Sequence, residues 1–566
     1  MKLTTNNFGK FILAFVFTTV IGCENDFEEL EVNPNQLSLN VFFDTPEGVD
    51  SAVKGIYGYF TTARNFGVSA KGMHGHHRSD EMSSGSDYSV SGQRNLRLTS
   101  SFYTIREPWA LTYTAALQAS SVIENADNAD YDGNTALRDA YVGEAHMLRA
   151  FAHYFLLIHF RNIPILGEVP DSEGFVKSQA APVDVWNFII SDLQAAKSLL
   201  PDKSFWDSAN TGRMTSGAAA GLLGKVYLTM SGVEGIDMYT EAAAEFNEII
   251  TGVHGSYDLT SDYLDNFGTD NENNIESIFE FQFFGDGDEN TGFNPGFVTS
   301  GLFSGPRAWA PPGLRRSDGR AVVVHDWVYD AFVASIDNDG RTDRRMFGTL
   351  VFDDRAPEIG IPDLNNDGDF TNDRLSLNDG MTWEEVYFED ETFGGKVPLA
   401  AAYKAGNRKW LDWNLKTNEN AVGEDDKFSQ SRAHGPNLTI IRYADVLLMY
   451  AEAVLMGGTQ GTLSPLEAVN IVRMRANVPL LGSVTMTEIE TERILELTNE
   501  GVRGIDLLRW GTLAERMAFL EANDPNFKQL DNSVYQQFQL PKNLYLPIPI
   551  DEIQSNPEIN VQNPGW

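Results

Sequence analysis

Leu137, Tyr141, Ala145, Leu148, Ala152, Phe155 and His159 recur at spacings of three and four, which lines one face of a helix with apolar and aromatic groups over about six turns. A face that long has to be covered by another element. Similar stripes run through Val183 to Leu200, Ser216 to Met230, Tyr239 to Val253, Ile441 to Leu455 and Pro465 to Arg475. Ala218, Ala219, Gly221 and Gly224 are small enough to let a neighbouring backbone come close. Helices that follow one another in this way predict a mainly α chain on a tetratricopeptide-like scaffold, in which each hairpin buries its face only against its neighbours. The repeat consensus itself is not evident, so the periodicity alone carries that expectation.

Between about 255 and 435 the texture changes: Gly, Asn, Asp and Pro punctuate short aromatic runs such as Ile278 to Phe284, and long helical stripes largely disappear. The reading is a helical scaffold over about 41–254 and 436–566 that carries a loop-rich ligand-binding insert over about 255–435. Loops on a rigid frame are where binding residues concentrate.

With 566 residues, 42 % of them hydrophobic and 11 % aromatic, the chain can bury large cores. Its single cysteine, Cys23, excludes an internal disulfide framework and a zinc site built on several thiolates. A formal net charge of -38 argues against broad contact with phosphate backbones, so no nucleic-acid partner is expected.

Lys2 and Lys10 precede the apolar run that starts at Phe11 and reaches about Gly22, the pattern of a secretory signal peptide over residues 1–22. The run is shorter than the about 20 apolar residues that a spanning helix needs. Val20-Ile21-Gly22-Cys23 resembles a bacterial lipobox, which implies cleavage before Cys23 and lipidation of its sulfur. Residues 23–40 then form an acylated tether. Its Glu24, Asp26, Glu28 and Glu29 resemble the export signal of surface lipoproteins in Bacteroidetes-type bacteria, and they also suit a solvated linker.

Further segments occur in a characteristic order. They are Glu144 to Phe151 followed by Asn162 to Ile165, Val185 to Leu193 leading to Leu200-Pro201, and Gly212 to Ala220 with Lys225 to Leu228. Ile441 to Ala453, Val472 to Ala476, Asn499 to Trp510, Leu546 to Pro549 and Gln562 to Trp566 complete the set. Together they resemble the SusD/RagB family of nutrient-binding outer-membrane lipoproteins over nearly the whole chain beyond Cys23. Arg161-Asn162 stands where family members usually have Gly-Asp. The resemblance implies a non-enzymatic protein, lipid-anchored in the outer membrane and facing the cell exterior. It would capture poly- or oligosaccharide and pass it to a SusC-like TonB-dependent transporter, closing over the barrel as a lid.

A sugar ring has an apolar C–H face that stacks on an aromatic plane and a hydroxyl rim that needs fixed donors and acceptors. Two stretches offer that combination. One runs from Arg78-Ser79-Asp80 to Tyr88, where Asp80 resembles a position near the sugar site of some relatives. The other, Gly305 to Arg316, contains Trp309 among prolines, with Arg315 and Arg316 as donors. Trp410, with Trp413 nearby, is a third candidate, and Trp109 reads as core.

Asp363, Asn365 and Asp367 alternate before Gly368, followed by Asp369 and Asp373, like the first half of an EF-hand loop. Arg374 occupies the twelfth position, so the segment is read either as a simpler loop for a structural calcium ion or as a solvated Asx/Gly turn. No cofactor is required. His74, His76 and His77 read as plain loop histidines. Glu500, Arg503, Asp506 and Arg509 recur at helical spacing and are expected to pair along one helix face, not to form a catalytic cluster. A surface glycan-cleaving enzyme, which would need two carboxylates about a scissile bond, and a protein-binding repeat scaffold are the alternatives.

Overall fold

The stripe over 137–159 lies within a helix, Thr135–Phe160, whose first turn is capped by the Asn134 side chain accepting from the Leu137 N–H at 3.2 Å. The computed structural model describes residues 42–61, 79–84, 98–169, 176–267, 271–282, 322–352, 356–364, 368, 404–409, 437–524, 527 and 537–566. In chain order the first elements are α1 (Pro46–Thr61), β1 (Met82–Ser84), α2 (Tyr103–Asn125), α3 (Thr135–Phe160), α4 (Pro182–Leu199), α5 (Ser216–Glu234) and α6 (Tyr239–Ile250). Then come β2 (Ser277–Phe281), β3 (Val322–Val324), α7 (Asp326–Ala334), α8 (Arg345–Thr349), β4 (Leu350–Phe352), β5 (Ala405–Asn407) and β6 (Leu438–Arg442). The last are α9 (Tyr443–Leu455), α10 (Pro465–Arg475), α11 (Met486–Leu497), α12 (Arg503–Arg509), α13 (Leu513–Asn523) and α14 (Ile550–Ser555).

Each of α2 to α6 packs on the next, and the series then jumps from α6 to α9 and continues to α10. The helical stack is thus continuous in space across a long excursion of the chain. This is a mainly helical, tetratricopeptide-like fold, as the stripes predict. At the small residues it is side chains, not a neighbouring backbone, that come close: a Cβ on Gly224 would sit 2.6 Å from the Phe246 ring, so the backbone of α5 packs there against an aromatic ring of α6.

One expectation is too narrow. The pattern predicts a single covered face on α3, yet from Ala140 to Phe160 every residue but His146 is buried. The reason is that the polar residues on its other faces are matched by distant partners. Glu144 accepts from Arg213 Nε at 2.6 Å and from the Tyr57 hydroxyl at 3.0 Å. Arg149 forks onto Asp192 at 2.7 and 2.8 Å and donates to the Gly167 carbonyl. His153 takes the Leu166 N–H on Nε2 while Nδ1 faces the Arg149 carbonyl, and burial pushes its pKa down to about 4, so the ring is neutral.

Arg161 and Asn162, the residues that depart from the family pattern, close the end of α3. Arg161 pairs with Glu234, and Asn162 donates to Asn563 at 2.8 Å, tying this turn to the C-terminal segment.

The strands form two small sheets. Four short antiparallel strands lie in the order β1-β3-β5-β4, and β2 pairs with β6. The first sheet has its own core, in which Met82, Val324, Phe332, Phe347, Leu350 and Ala405 pack with Ile494 and Leu495 of α11. Among the described residues no helix is long and apolar enough to cross a membrane.

Candidate functional site

Register decides where the candidate ligand segments are attached. Ser84 pairs with Val322, Val323 with Gly406, and Leu350 with Asn407, all antiparallel. The exit of β1, the entry of β3 and the exit of β5 therefore share one end of the sheet. The segment containing Tyr88 follows β1, that containing Trp309, Arg315 and Arg316 precedes β3, and Trp410 follows β5. These five residues lie outside the described residues, as do Cys23, Trp413 and the three loop histidines; what the structure supplies is the common root of their segments. The exit of β4 and the entry of β5, between which Asp363 to Asp373 fall, are at the opposite end.

Asp80 requires a correction. It stands two residues before β1, is fully buried, and accepts from Arg503 at 2.7 and 3.0 Å and also from Arg516. Burial alone would raise this carboxyl, but the two guanidinium groups outweigh it and hold it below the usual carboxylate range. With its oxygens committed to arginine, Asp80 fastens the root of the Tyr88 segment instead of facing ligand. Its neighbour Glu81 is also buried, and burial pushes that carboxyl up to about 8 against the pull of Arg503.

The root of Trp410 is fastened in the same manner. Lys409 is buried and donates to Glu500 at 2.7 Å and to the Glu496 carbonyl at 2.9 Å. Glu500 also accepts from Arg442 at 2.8 and 2.9 Å, and Arg442 reaches Glu276 and Glu496 as well. Arg345 and Arg475 complete the lattice around Glu496. The pairing expected along one face of residues 500–509 is mostly absent, because α12 begins only at Arg503. Arg509 and Asp506 do pair at i,i+3, but Glu500 and Arg503 each turn to partners far away in sequence. Sequence spacing could not reveal Glu276, Arg345 or Arg442 as members, because Glu276 precedes β2, Arg345 opens α8 and Arg442 ends β6, three elements that meet only in the fold.

Of the calcium candidates, Asp363 is described, and its Oδ2 accepts the Gly368 N–H at 2.9 Å, with Gly368 at φ +82. The bond spans five residues, and glycine accommodates the positive φ at its far end. Asn365, Asp367, Asp369 and Asp373 lie outside the described residues. Among the described residues no three His, Cys, Asp or Glu side chains gather as a metal site.

A cavity of about 270 Å³ lies beside β2, between that strand and the connection from α4 to α5. Trp206, Met214, Tyr257, Ile278 and Glu280 are in its wall, with Lys203 and Thr211 at the rim. A smaller depression of about 20 Å³ shares Ser277 and Glu280 with it. The lining comes from three separate stretches; two of them contain segments noted in the sequence, Gly212 to Ala220 and Ile278 to Phe284, but nothing in the sequence shows that they meet.

A family model described as "SusD family" matches residues 235–566, and one described as "Starch-binding associating with outer membrane" matches residues 28–228. A SusD-like protein of Bacteroides ovatus is 25 % identical over 419 residues, covering 71 % of this chain and 65 % of that protein, just under two thirds of its length. A solved structure of a laminarin binding SusD-like protein superposes with a TM-score of 0.64 at 24 % identity, covering 92 % of this chain and 99 % of that one. Surface glycan-binding protein A from Bacteroides thetaiotaomicron superposes with a TM-score of 0.66 at 23 % identity, covering 92 % and 100 %. The ordered motifs, the helical stack and a family match over more than half its length agree: the chain belongs to the SusD family.

Proposed function

We propose that this protein captures poly- or oligosaccharide at the cell surface and delivers it to a TonB-dependent outer-membrane transporter, over which it acts as a lid, and that it is not an enzyme. The observation that carries the reading is the common root: the three segments with aromatic and arginine candidates leave one end of a single sheet whose other parts are locked by buried ion pairs. Trp309, Tyr88 and Trp410 serve as stacking platforms in this reading, with Arg315 and Arg316 as hydroxyl donors. The names of the relatives, a laminarin binding protein and a surface glycan-binding protein, favour the same ligand class. A lipid anchor at Cys23 holds the protein to the outer membrane, on its exterior face. No cofactor is needed; a calcium ion at Asp363 to Asp373 would be structural, and melting with and without EDTA reads it out.

Affinity electrophoresis through gels containing laminarin and other neutral polysaccharides tests the reading. At least one gel retards the wild-type protein, and Trp309→Ala weakens that retardation. Sustained release of reducing ends from the retarding glycan would overturn the non-enzymatic part. Free migration through every gel would overturn the carbohydrate part.

A further inference from the structure

We infer that the cavity beside β2 is an accessory site for a single neutral sugar ring, separate from the segments rooted on the four-stranded sheet. The ligand class rests on the carbohydrate reading above, but the residues are different. At about 270 Å³ the cavity falls just below the ~300–1,000 Å³ of sites for larger molecules. That is room for one pyranose with its hydroxyls and not for a chain buried along its length.

The wall has the parts a sugar needs, and they are pre-set. Trp206 is half-buried; its indole N–H donates to the Met214 carbonyl at 3.1 Å, and the Arg213 guanidinium lies 4.5 Å from its ring centre. Those two contacts fix the plane of the ring that a C–H face would meet. Glu280 is 8 % exposed, and its Oε1 accepts from the Asn273 N–H at 2.7 Å and from Asn437 at 3.2 Å. Its Oε2 accepts from none of the described residues, which leaves an uncommitted acceptor on a nearly buried carboxylate in the wall. At the rim the Lys203 ammonium donates to the Asn273 and Asn274 carbonyls at 3.0 and 2.8 Å, and of its three donors one remains to offer.

Charge selects the class within sugars. Arg213 is already neutralised by Glu144 and Asp50, and Lys203 stands opposite Glu280, so the cavity carries little net charge. An anionic sugar would meet the Glu280 carboxylate without a spare guanidinium, and a cationic ligand would meet Lys203. A neutral polyol, with donors for Glu280 and an acceptor for Lys203, satisfies both.

Ligand-observed saturation-transfer NMR on the full chain, with D-glucose, D-galactose, D-mannose, D-xylose and D-glucuronate as probes, tests this. We expect saturable transfer to at least one neutral sugar and little to glucuronate. Measured in a Trp309→Ala background, so that transfer through the segments rooted on the four-stranded sheet does not mask it, Glu280→Gln should weaken the signal about tenfold by removing the charge-assisted bond. Thr211→Trp, at an exposed rim position, should block it whether or not the buried Glu280 tolerates substitution. In the Trp309→Ala background the inference is overturned if no neutral sugar gives saturable transfer or if adding Thr211→Trp leaves the signal intact. Retardation by a polysaccharide gel without any monosaccharide signal would overturn this site and leave the main reading standing.

Discussion

Asp80 and Arg503 are 423 positions apart in sequence and 2.7 Å apart in the fold, both buried, joined by a two-pronged ion pair. The pair connects the short segment before β1 to the start of α12, so the first root of the sheet is held by the C-terminal part of the chain.

Breaking one partner of such a pair strands the other charge away from water. Asp80→Ala should therefore lower unfolding stability by about 3–5 kcal/mol, read as an earlier urea midpoint. Unchanged stability together with lost glycan retardation would return Asp80 to the ligand-contact set.

Glu81 gives a pH signature. Its folded pKa is raised to about 8 from 4.5, so the folded state keeps a proton that the unfolded chain releases, and stability declines as pH rises between those values. His153 acts in the opposite sense on the acid side: its folded pKa is depressed from 6.5 to about 4, so its contribution is lost as pH falls through that interval. Above 6.5 Glu81 acts without it. Glu81→Gln should flatten the stability loss between pH 6.5 and 8, and equal slopes in both proteins by denaturant titration would refute the assignment.

Gly224→Ala tests the packing of the Phe246 ring of α6 on the backbone of α5. The added methyl meets the buried Phe246 ring at 2.6 Å, so overpacking should cost about 1–3 kcal/mol. A neutral outcome in thermal melting would mean that the two helices can part without penalty.

Cys23→Ala should leave the protein in the soluble fraction or uncleaved, because a stable anchor takes two acyl chains and each buried methylene contributes about 0.8 kcal/mol. Membrane association after normal processing of this variant would remove the lipid anchor from the proposal.

The helical frame was legible because a covered face leaves a period in the sequence, as at Leu137, Tyr141 and Ala145. The full burial of α3 was not, since Glu144 and Arg149 look like surface residues until Arg213 and Asp192 are placed beside them. Glu500 and Arg503 misled for the same reason: local spacing offered each a neighbour, and tertiary structure offered a better one. Asp80 was noticed for a resemblance, and its burial depends on Arg503 and Arg516, which no local pattern connects to it. The cavity at Trp206 and Glu280 was not legible, because Trp206 belongs to the connection from α4 to α5 and Glu280 to β2, which meet only in the folded chain.

On the proposed reading, the shared root of the three segments also governs how recognition can change over time. Each segment has both neighbours pinned by the frame, so its ends are already held and only its interior length is free. Closing a flexible loop costs more with length only logarithmically, about 0.6 kcal/mol for each doubling. A frame of this kind lets appetite diverge between close relatives while the machinery that presents it stays the same.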